Sequence, residues 1–394
     1  LSGGLTPWRS PLVTIGVMNS HDSPRPHNLP LYLSSVWECR DPQQADDILG
    51  GRQSGYVYRR DGHPNADALA AECCRWHGVE RGVTTSSGMS ALAAAVLAVA
   101  KAGDHVLLSN RLYGKTGYLL SAEFSRLGVE SSTIDIRDHA ATKAALRTNT
   151  RLLIVETIAN PCLEVADIAA LANIAHAGGA LLLVDNTFAT PFVCRPAELG
   201  ADLVMESLTK MMNGHSDVIL GFLGGTKSLW DRVPGVVSAW GLCSSPLDCY
   251  LAMRGMGTLQ LRMQQACNNA RLAAEFLAGR SEVERVDYPG LATHPQHDLA
   301  VRQFGSRFGS LVTVHLRGER AAAETFITAA KRIPFCPSLG ELGTTLSHPE
   351  STSHRGLTTQ QRGALGISGG TIRLSVGIEP VDEVLSALAE GLAG

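Results

Sequence analysis

Residues 180–210 read ALLLVDNTFATPFVCRPAELGADLVMESLTK. The apolar runs at 180–185 (ALLLVD) and 202–206 (DLVME) are continuous rather than alternating in polarity, the pattern of strands covered on both faces. Similar runs stand at 105–109 (HVLLS) and 152–156 (LLIVE), with helix-like segments between, such as 116–127 and 167–177. Strand–helix alternation predicts a doubly wound α/β layer of parallel strands. In such sheets ligands collect at the carboxyl ends of the strands, so the residues just past each run are the candidates for chemistry.

Asp185 ends the most apolar run. An Asp there serves as a metal ligand, a general base or a counter-ion to a buried cation, or merely caps an Asx turn. Ser207-Leu208-Thr209-Lys210 follows the next run in the same geometric place. A Lys at a strand end can form a Schiff base with an aldehyde, and its hydroxyl neighbours can hold a phosphate; alone, it reads as a surface Lys on a turn. Ser86-Ser87-Gly88-Met89 opens a helix rich in Ala, Leu and Val, and a capped start with Gly leaves backbone N–H groups free for an anion. Taken singly, each feature has an ordinary structural explanation. Taken together, a phosphate cradle, a strand-end Asp and a Lys with hydroxyl neighbours are what pyridoxal phosphate requires.

The length, 394 residues, suggests two or three domains. We read residues 1–50, with Pro24, Pro26, Pro30 and Pro42, as an irregular arm that lies against a neighbouring subunit. Residues 51–245 form the cofactor-binding α/β domain. A long helical pattern from 246 to 277, interrupted by Gly255 and Gly257, leads into an α+β domain spanning 246–394, with strands near 310–316 and 371–377 and a closing helix at 380–392. With 34 Lys+Arg against 37 Asp+Glu, charge is nearly balanced, which disfavours nucleic acid as the main partner. The apolar stretch 89–100 is too short to span a bilayer, and residues 1–20 show no secretory pattern. Nine scattered Cys, odd in number and without a C-x-x-C pair, suit reduced thiols in a cytoplasmic protein. His294 and His297 lack a Cys or carboxylate pattern to complete a metal site, so no metal is expected.

Five strings carry a resemblance: DNTFATPF (185–192), RPAELGADLVMESLTK (195–210), NGHSDVILG (213–221), MRGMGTLQLRM (253–263) and IRLSVGIE (372–379). On these, and over nearly its whole length, the chain resembles the Cys/Met-metabolism (transsulfuration) family of pyridoxal-phosphate enzymes, of the cystathionine γ-lyase and cystathionine γ-synthase type. The resemblance implies the aspartate-aminotransferase-like fold (fold type I), with a large doubly wound sheet domain and a smaller α+β domain. It implies that Lys210 holds the cofactor aldehyde and shuttles protons after release, and that Asp185 partners the pyridine nitrogen. It gives Gly88, Met89, Ser207 and Thr209 to the phosphate, Tyr113 to ring stacking and proton transfer, and Asn160 to the ring hydroxyl. Tyr58 and Arg60 match a pair donated to the phosphate by a neighbouring subunit, in a homotetramer of site-sharing dimers. Ser338 and Arg373 match the grip on the substrate α-carboxylate.

The implied activity is carbon–sulfur bond elimination on cystathionine- or methionine/cysteine-like amino acids, with γ-replacement by a synthase or sulfhydrylase as the alternative and a non-catalytic scaffold as a remote one. Several positions depart from the family pattern. Lys115 stands where synthases and many lyases carry Gly and methionine γ-lyases carry Cys; it either points to solvent or sits near Tyr113, where it favours the phenolate or attracts an acidic substrate tail. The stretch before Ser245 (VVSAWGLC) lacks a Lys-Asp pair associated with methionine γ-lyases, which argues against a dedicated enzyme of that type. Arg59, His63 and Asn65 alter the intersubunit segment, Pro337 replaces a Glu of some lyases, and Glu206 replaces a common His with little expected effect on the cofactor.

Overall fold

The computed structural model describes residues 26–394, so the first half of the expected arm lies outside the described residues. Seven strands build the larger sheet: β1 (Arg81–Thr85), β2 (His105–Ser109), β3 (Glu130–Ile134), β4 (Thr150–Glu156), β5 (Leu181–Asp185), β6 (Leu203–Ser207) and β7 (Gly221–Gly225). Their order is β1-β7-β6-β5-β4-β2-β3. The four apolar runs are β2, β4, β5 and β6, mutually parallel as expected. Alternate residues feed two separate cores: Leu153, Val155, Leu182 and Val184 on one face, Leu152, Ile154, Leu183 and Leu203 on the other. Continuous hydrophobicity is thus the mark of a sheet with helices on both sides.

The sheet is mixed rather than purely parallel. β7 runs antiparallel to both β6 and β1. Its sequence, GFLGG, has too little side chain to read as a strand, and the glycines are there for space. A Cβ on Gly221 would lie 2.1 Å from Ser87 O, and one on Gly225 would lie 2.7 Å from Asp202 O.

A smaller antiparallel sheet, ordered β10-β11-β9-β8, contains β8 (Val283–Asp287), β9 (Leu311–Leu316), β10 (Thr345–Ser347) and β11 (Thr371–Ser375). The long helical pattern splits into Pro246–Met256 and Leu259–Ala278. The break falls at Gly257 and Thr258; Gly255 stays helical, because it packs so closely on Asn213 that a Cβ would sit 2.4 Å from that carbonyl oxygen. The second helix begins in the core of the large sheet (Leu259, Met263) and ends in that of the small one (Ala273, Leu277), which ties the two together.

Two expectations need correction. The arm is not irregular throughout: Pro42–Leu49 is a helix, capped by Asp41, whose side chain accepts from Gln44 N–H. Pro42, counted as a breaker, occupies the first helical turn, where its fixed φ and missing N–H are harmless. The segment 116–127 is not one α-helix. Gly114–Tyr118 is α-helical, Leu119–Phe124 widens to π turns, and Ser125–Leu127 tightens to a 3-10 turn.

Candidate active site

The carboxyl ends of β4, β5 and β6 open into a cavity of about 300 Å³, closed on its far side by Ser338 and Arg373. Lys210 sits in the turn after β6, its N–H donating to Ser207 O at 3.2 Å. Its Nζ donates to Ser338 Oγ at 2.9 Å. Burial lowers the Lys210 pKa against an opposing pull from Glu341, which raises the share of free amine able to attack a carbonyl. The turn is braced by Arg262, whose Nη1 donates to Met211 O (2.7 Å) and Nη2 to Met212 O (3.0 Å) and Gly255 O (2.9 Å).

Asp185 closes β5 and lies in register with Glu156 at the end of β4. Thr187 donates its N–H (3.0 Å) and its hydroxyl (2.6 Å) to Asp185 Oδ1. Glu156 accepts from Tyr113 N–H through Oε1 (2.5 Å) and from Asn160 N–H through Oε2 (3.3 Å). Burial raises both carboxyls, Thr187 holds Asp185 back, and the charge of Asp185 pushes Glu156 further. The pair therefore keeps its proton on Glu156 and its negative charge on Asp185.

Arg373, on β11, donates Nη1 to Asn160 Oδ1 (2.7 Å) and Nη2 to Ser338 O (3.0 Å). Burial brings its pKa down to about 10, so it remains cationic at neutral pH. Its buried Nε has no partner among the described residues, a donor left for a ligand anion. At the opposite end, Ser87 caps the helix Gly88–Val99 and its Oγ accepts from Ser90 N–H. Gly88 packs against Ser207 so tightly that a Cβ would come within 2.9 Å of the Ser207 Cβ. That closeness brings the first-turn N–H groups and the Ser207 hydroxyl to one wall of the cavity.

Of the residues singled out from sequence, Gly88, Met89, Tyr113, Asn160, Asp185, Ser207, Thr209, Lys210, Ser338 and Arg373 all line this cavity. The Thr209 hydroxyl is already engaged, donating to Leu220 O (3.2 Å) and accepting from Leu220 N–H (3.0 Å). Three residues stand outside. Tyr58 is exposed, with the Arg60 guanidinium 5.2 Å from its ring centroid. Lys115 is exposed, with Nζ 5.5 Å from the ring centroid of Tyr118. Glu156, Thr187 and Arg262 were missed. The signal for Glu156 was present: a charge ending an otherwise apolar strand, level with Asp185. Glu206 is buried, with Oε2 2.7 Å from His77 Nε2.

An amine poised to attack, an anionic carboxylate able to hold a ring nitrogen protonated, a helix start suited to phosphate and an unpartnered guanidinium donor fit pyridoxal phosphate and an amino-acid carboxylate. Fold and site thus define a pyridoxal-phosphate enzyme. The chain belongs to the Cys/Met metabolism PLP-dependent enzyme family, which it matches over residues 12–393. It is 38% identical to L-methionine gamma-lyase of Fusobacterium nucleatum subsp. polymorphum over 367 residues, 92% of this chain and 93% of that one. It is 39% identical to O-succinylhomoserine sulfhydrylase of Pseudomonas aeruginosa over 367 residues, 93% and 91% of the two chains. The crystal structure of metY from Campylobacter jejuni, which carries N′-pyridoxyl-lysine-5′-monophosphate, superposes with a TM-score of 0.91 at 25% identity, over 98% of this chain and 100% of that one.

Proposed function

We propose that the protein is a carbon–sulfur lyase that eliminates a thiol from cystathionine-, methionine- or cysteine-like amino acids. The observation that carries this reading is the meeting of Lys210 Nζ and Ser338 Oγ beside the unpartnered Nε of Arg373: a base and a carboxylate grip within one cavity. Bound pyridoxal phosphate, held by Lys210, Asp185, Asn160 and the Gly88/Met89/Ser207 cradle, supplies an electron sink that acidifies the substrate Cα–H; the Thr209 hydroxyl, which donates to Leu220 O, braces that wall instead. Arg373 and Ser338 take the α-carboxylate. The freed Lys210 amine removes the Cα proton and, for a γ-thioether, the Cβ proton as well. The Tyr113 hydroxyl donates a proton to the departing sulfur, a step of general acid catalysis worth about a hundredfold to ten-thousandfold. Tyr58 and Arg60, outside their own cavity and exposed, serve the phosphate of a neighbouring subunit in a homotetramer of site-sharing dimers. Residues 1–50 act as the arm of that assembly, 51–245 as the cofactor domain and 246–394 as the second domain. Lys115 draws acidic substrate tails. The nine free cysteines suit the cytoplasm.

A second reading, γ-replacement, is favoured by the likeness to the O-succinylhomoserine sulfhydrylase. One assay separates the two. A γ-substituted amino acid offered without and with an added thiol yields 2-oxo acid, ammonia and the leaving thiol if elimination dominates. A thioether formed at the expense of 2-oxo acid overturns the lyase assignment.

A further inference from the structure

We infer that Cys162, Asp287 and His315 form a binding site for a thiophilic divalent cation of the zinc type, separate from the cofactor cavity. The three come from distant parts of the chain: the loop after β4, the end of β8 and the last part of β9. All are buried, and one donor atom from each lies within 4.8 Å of the others. Thiolate, carboxylate and imidazole together are a zinc ligand set, with a fourth position for water or a small anion. Cys162 and Asp287 line a second cavity of about 610 Å³ that also meets Arg111, Glu164 and Arg285, giving an ion a way in.

The hydrogen bonds around His315 supply an independent reason. Its Nδ1 lies 3.0 Å from Thr371 Oγ1 on the neighbouring strand. Its Nε2 lies 2.8 Å from Asp287 Oδ2 and also 2.9 Å from Arg285 Nη2. One ring nitrogen cannot satisfy both. With a proton it donates to Asp287 and faces the guanidinium N–H head-on; without one it accepts from Arg285 and turns its lone pair on the carboxylate. A cation at this point removes the conflict, because lone pair and carboxylate both face it. Arg285, whose side chain is half exposed, is the present cationic occupant and can swing out.

The surrounding contacts already have the form that metal sites use. Thr371 orients the imidazole through the far nitrogen, 3.0 Å away. Cys162 donates its thiol proton to Leu365 O at 3.4 Å, and binding would release that proton as the thiolate ligates. Occupancy would join the loop carrying Asn160 to the small sheet that carries Arg373. The alternative is that Arg285, Asp287 and His315 are only a structural ion network.

The test uses untagged holoenzyme, treated with a chelator and dialysed against Zn²⁺ or Co²⁺. One metal per chain is expected, and Co²⁺ is expected to give a near-ultraviolet thiolate charge-transfer absorption that Cys162→Ser abolishes. Thr371→Val, which leaves all three ligands in place, is expected to weaken zinc binding about tenfold to a hundredfold. Arg285→Gln is expected to tighten it about tenfold by removing a like charge, the reverse of what a purely structural network predicts. No stoichiometric metal, the same cobalt absorption in Cys162→Ser, or an affinity indifferent to both Thr371→Val and Arg285→Gln overturns the inference.

Discussion

Reversing the buried pair His77–Glu206 tests how the strand that leads into Lys210 is held. Both side chains are within 1% of fully buried, and Nε2 lies 2.7 Å from Oε2. Burial pushes Glu206 well up and His77 down to about 3, so the proton rests on the carboxyl that faces Nε2. Glu206 immediately precedes Ser207, and the His77 ring stacks on Phe222 of β7 at 5.2 Å and 13°. Glu206→His alone opposes two imidazoles, and His77→Glu alone opposes two carboxyls. With both groups neutral, loss of one partner leaves a buried polar group unsatisfied, at a cost of about 1–3 kcal/mol. At ~2.1 cal/mol/K per residue, 394 residues unfold with about 0.8 kcal/mol/K, so about 2 kcal/mol lowers the melting temperature by about 2.5 °C. The double exchange His77→Glu/Glu206→His again sets one carboxyl against one imidazole and forfeits only the ring stacking, worth about 1 kcal/mol. Thermal unfolding of the four holoenzymes at one protein concentration is the assay. If the double variant is as unstable as the sum of the singles, the two side chains do not act as a pair.

The same pair dictates a pH profile. Unfolded, His77 titrates near 6.5 and Glu206 near 4.5. Between these values the folded and unfolded states each hold one proton on the two groups, and stability is flat. Below 4.5 the unfolded chain holds two protons and the folded pair one, until His77 charges near 3. Over those 1.5 pH units acid removes about 2 kcal/mol. Above 6.5 the unfolded chain holds none and the folded pair still one, so stability declines as pH rises toward the raised value of Glu206.

Three further predictions concern the cavity. Arg373→Lys keeps the charge but loses the fork to Asn160, Ser338 and the substrate, and is expected to raise KM at least about tenfold with a smaller loss in kcat. Glu156→Gln sets an amide N–H₂ against one of the two N–H groups that Glu156 accepts, from Tyr113 and Asn160; kcat is expected to fall about tenfold with a changed visible circular dichroism of the bound cofactor, whereas an unchanged spectrum would refute a positioning role. Lys115→Gly is expected to raise KM only for substrates with acidic tails; an equal loss for all substrates removes Lys115 from substrate choice.

What could be read from the residues was whatever a strand announces locally. Four apolar runs ending in Ser109, Glu156, Asp185 and Glu206 define the parallel centre of the sheet, and the rule that ligands meet strand ends finds Asp185 and Lys210 without coordinates. β7 escaped because its glycines answer to the backbone of Ser87 and Asp202, contacts that no local pattern records. Glu156 was legible in principle and overlooked. His77 and Cys162 were not legible, since each depends on a partner more than a hundred residues away that only the folded sheets bring near.

The charge arrangement of the cavity gives Glu156 its meaning. Asp185 and Glu156 end neighbouring strands in register, and two ionised carboxylates there would repel by several kcal/mol in a buried setting. Leaving the proton on Glu156 removes that repulsion and still leaves one negative charge for a cationic ring nitrogen. The two positive groups, Lys210 and Arg373, stand on the turn after β6 and on β11, across the cavity from that charge. A ligand that is positive at one end and anionic at the other is oriented by this separation before any contact specific to sulfur is made. Glu156 therefore contributes through its two backbone contacts rather than through charge, and the neutral Gln variant isolates that contribution because it alters the hydrogen bonds while leaving the net charge of the cavity as it was.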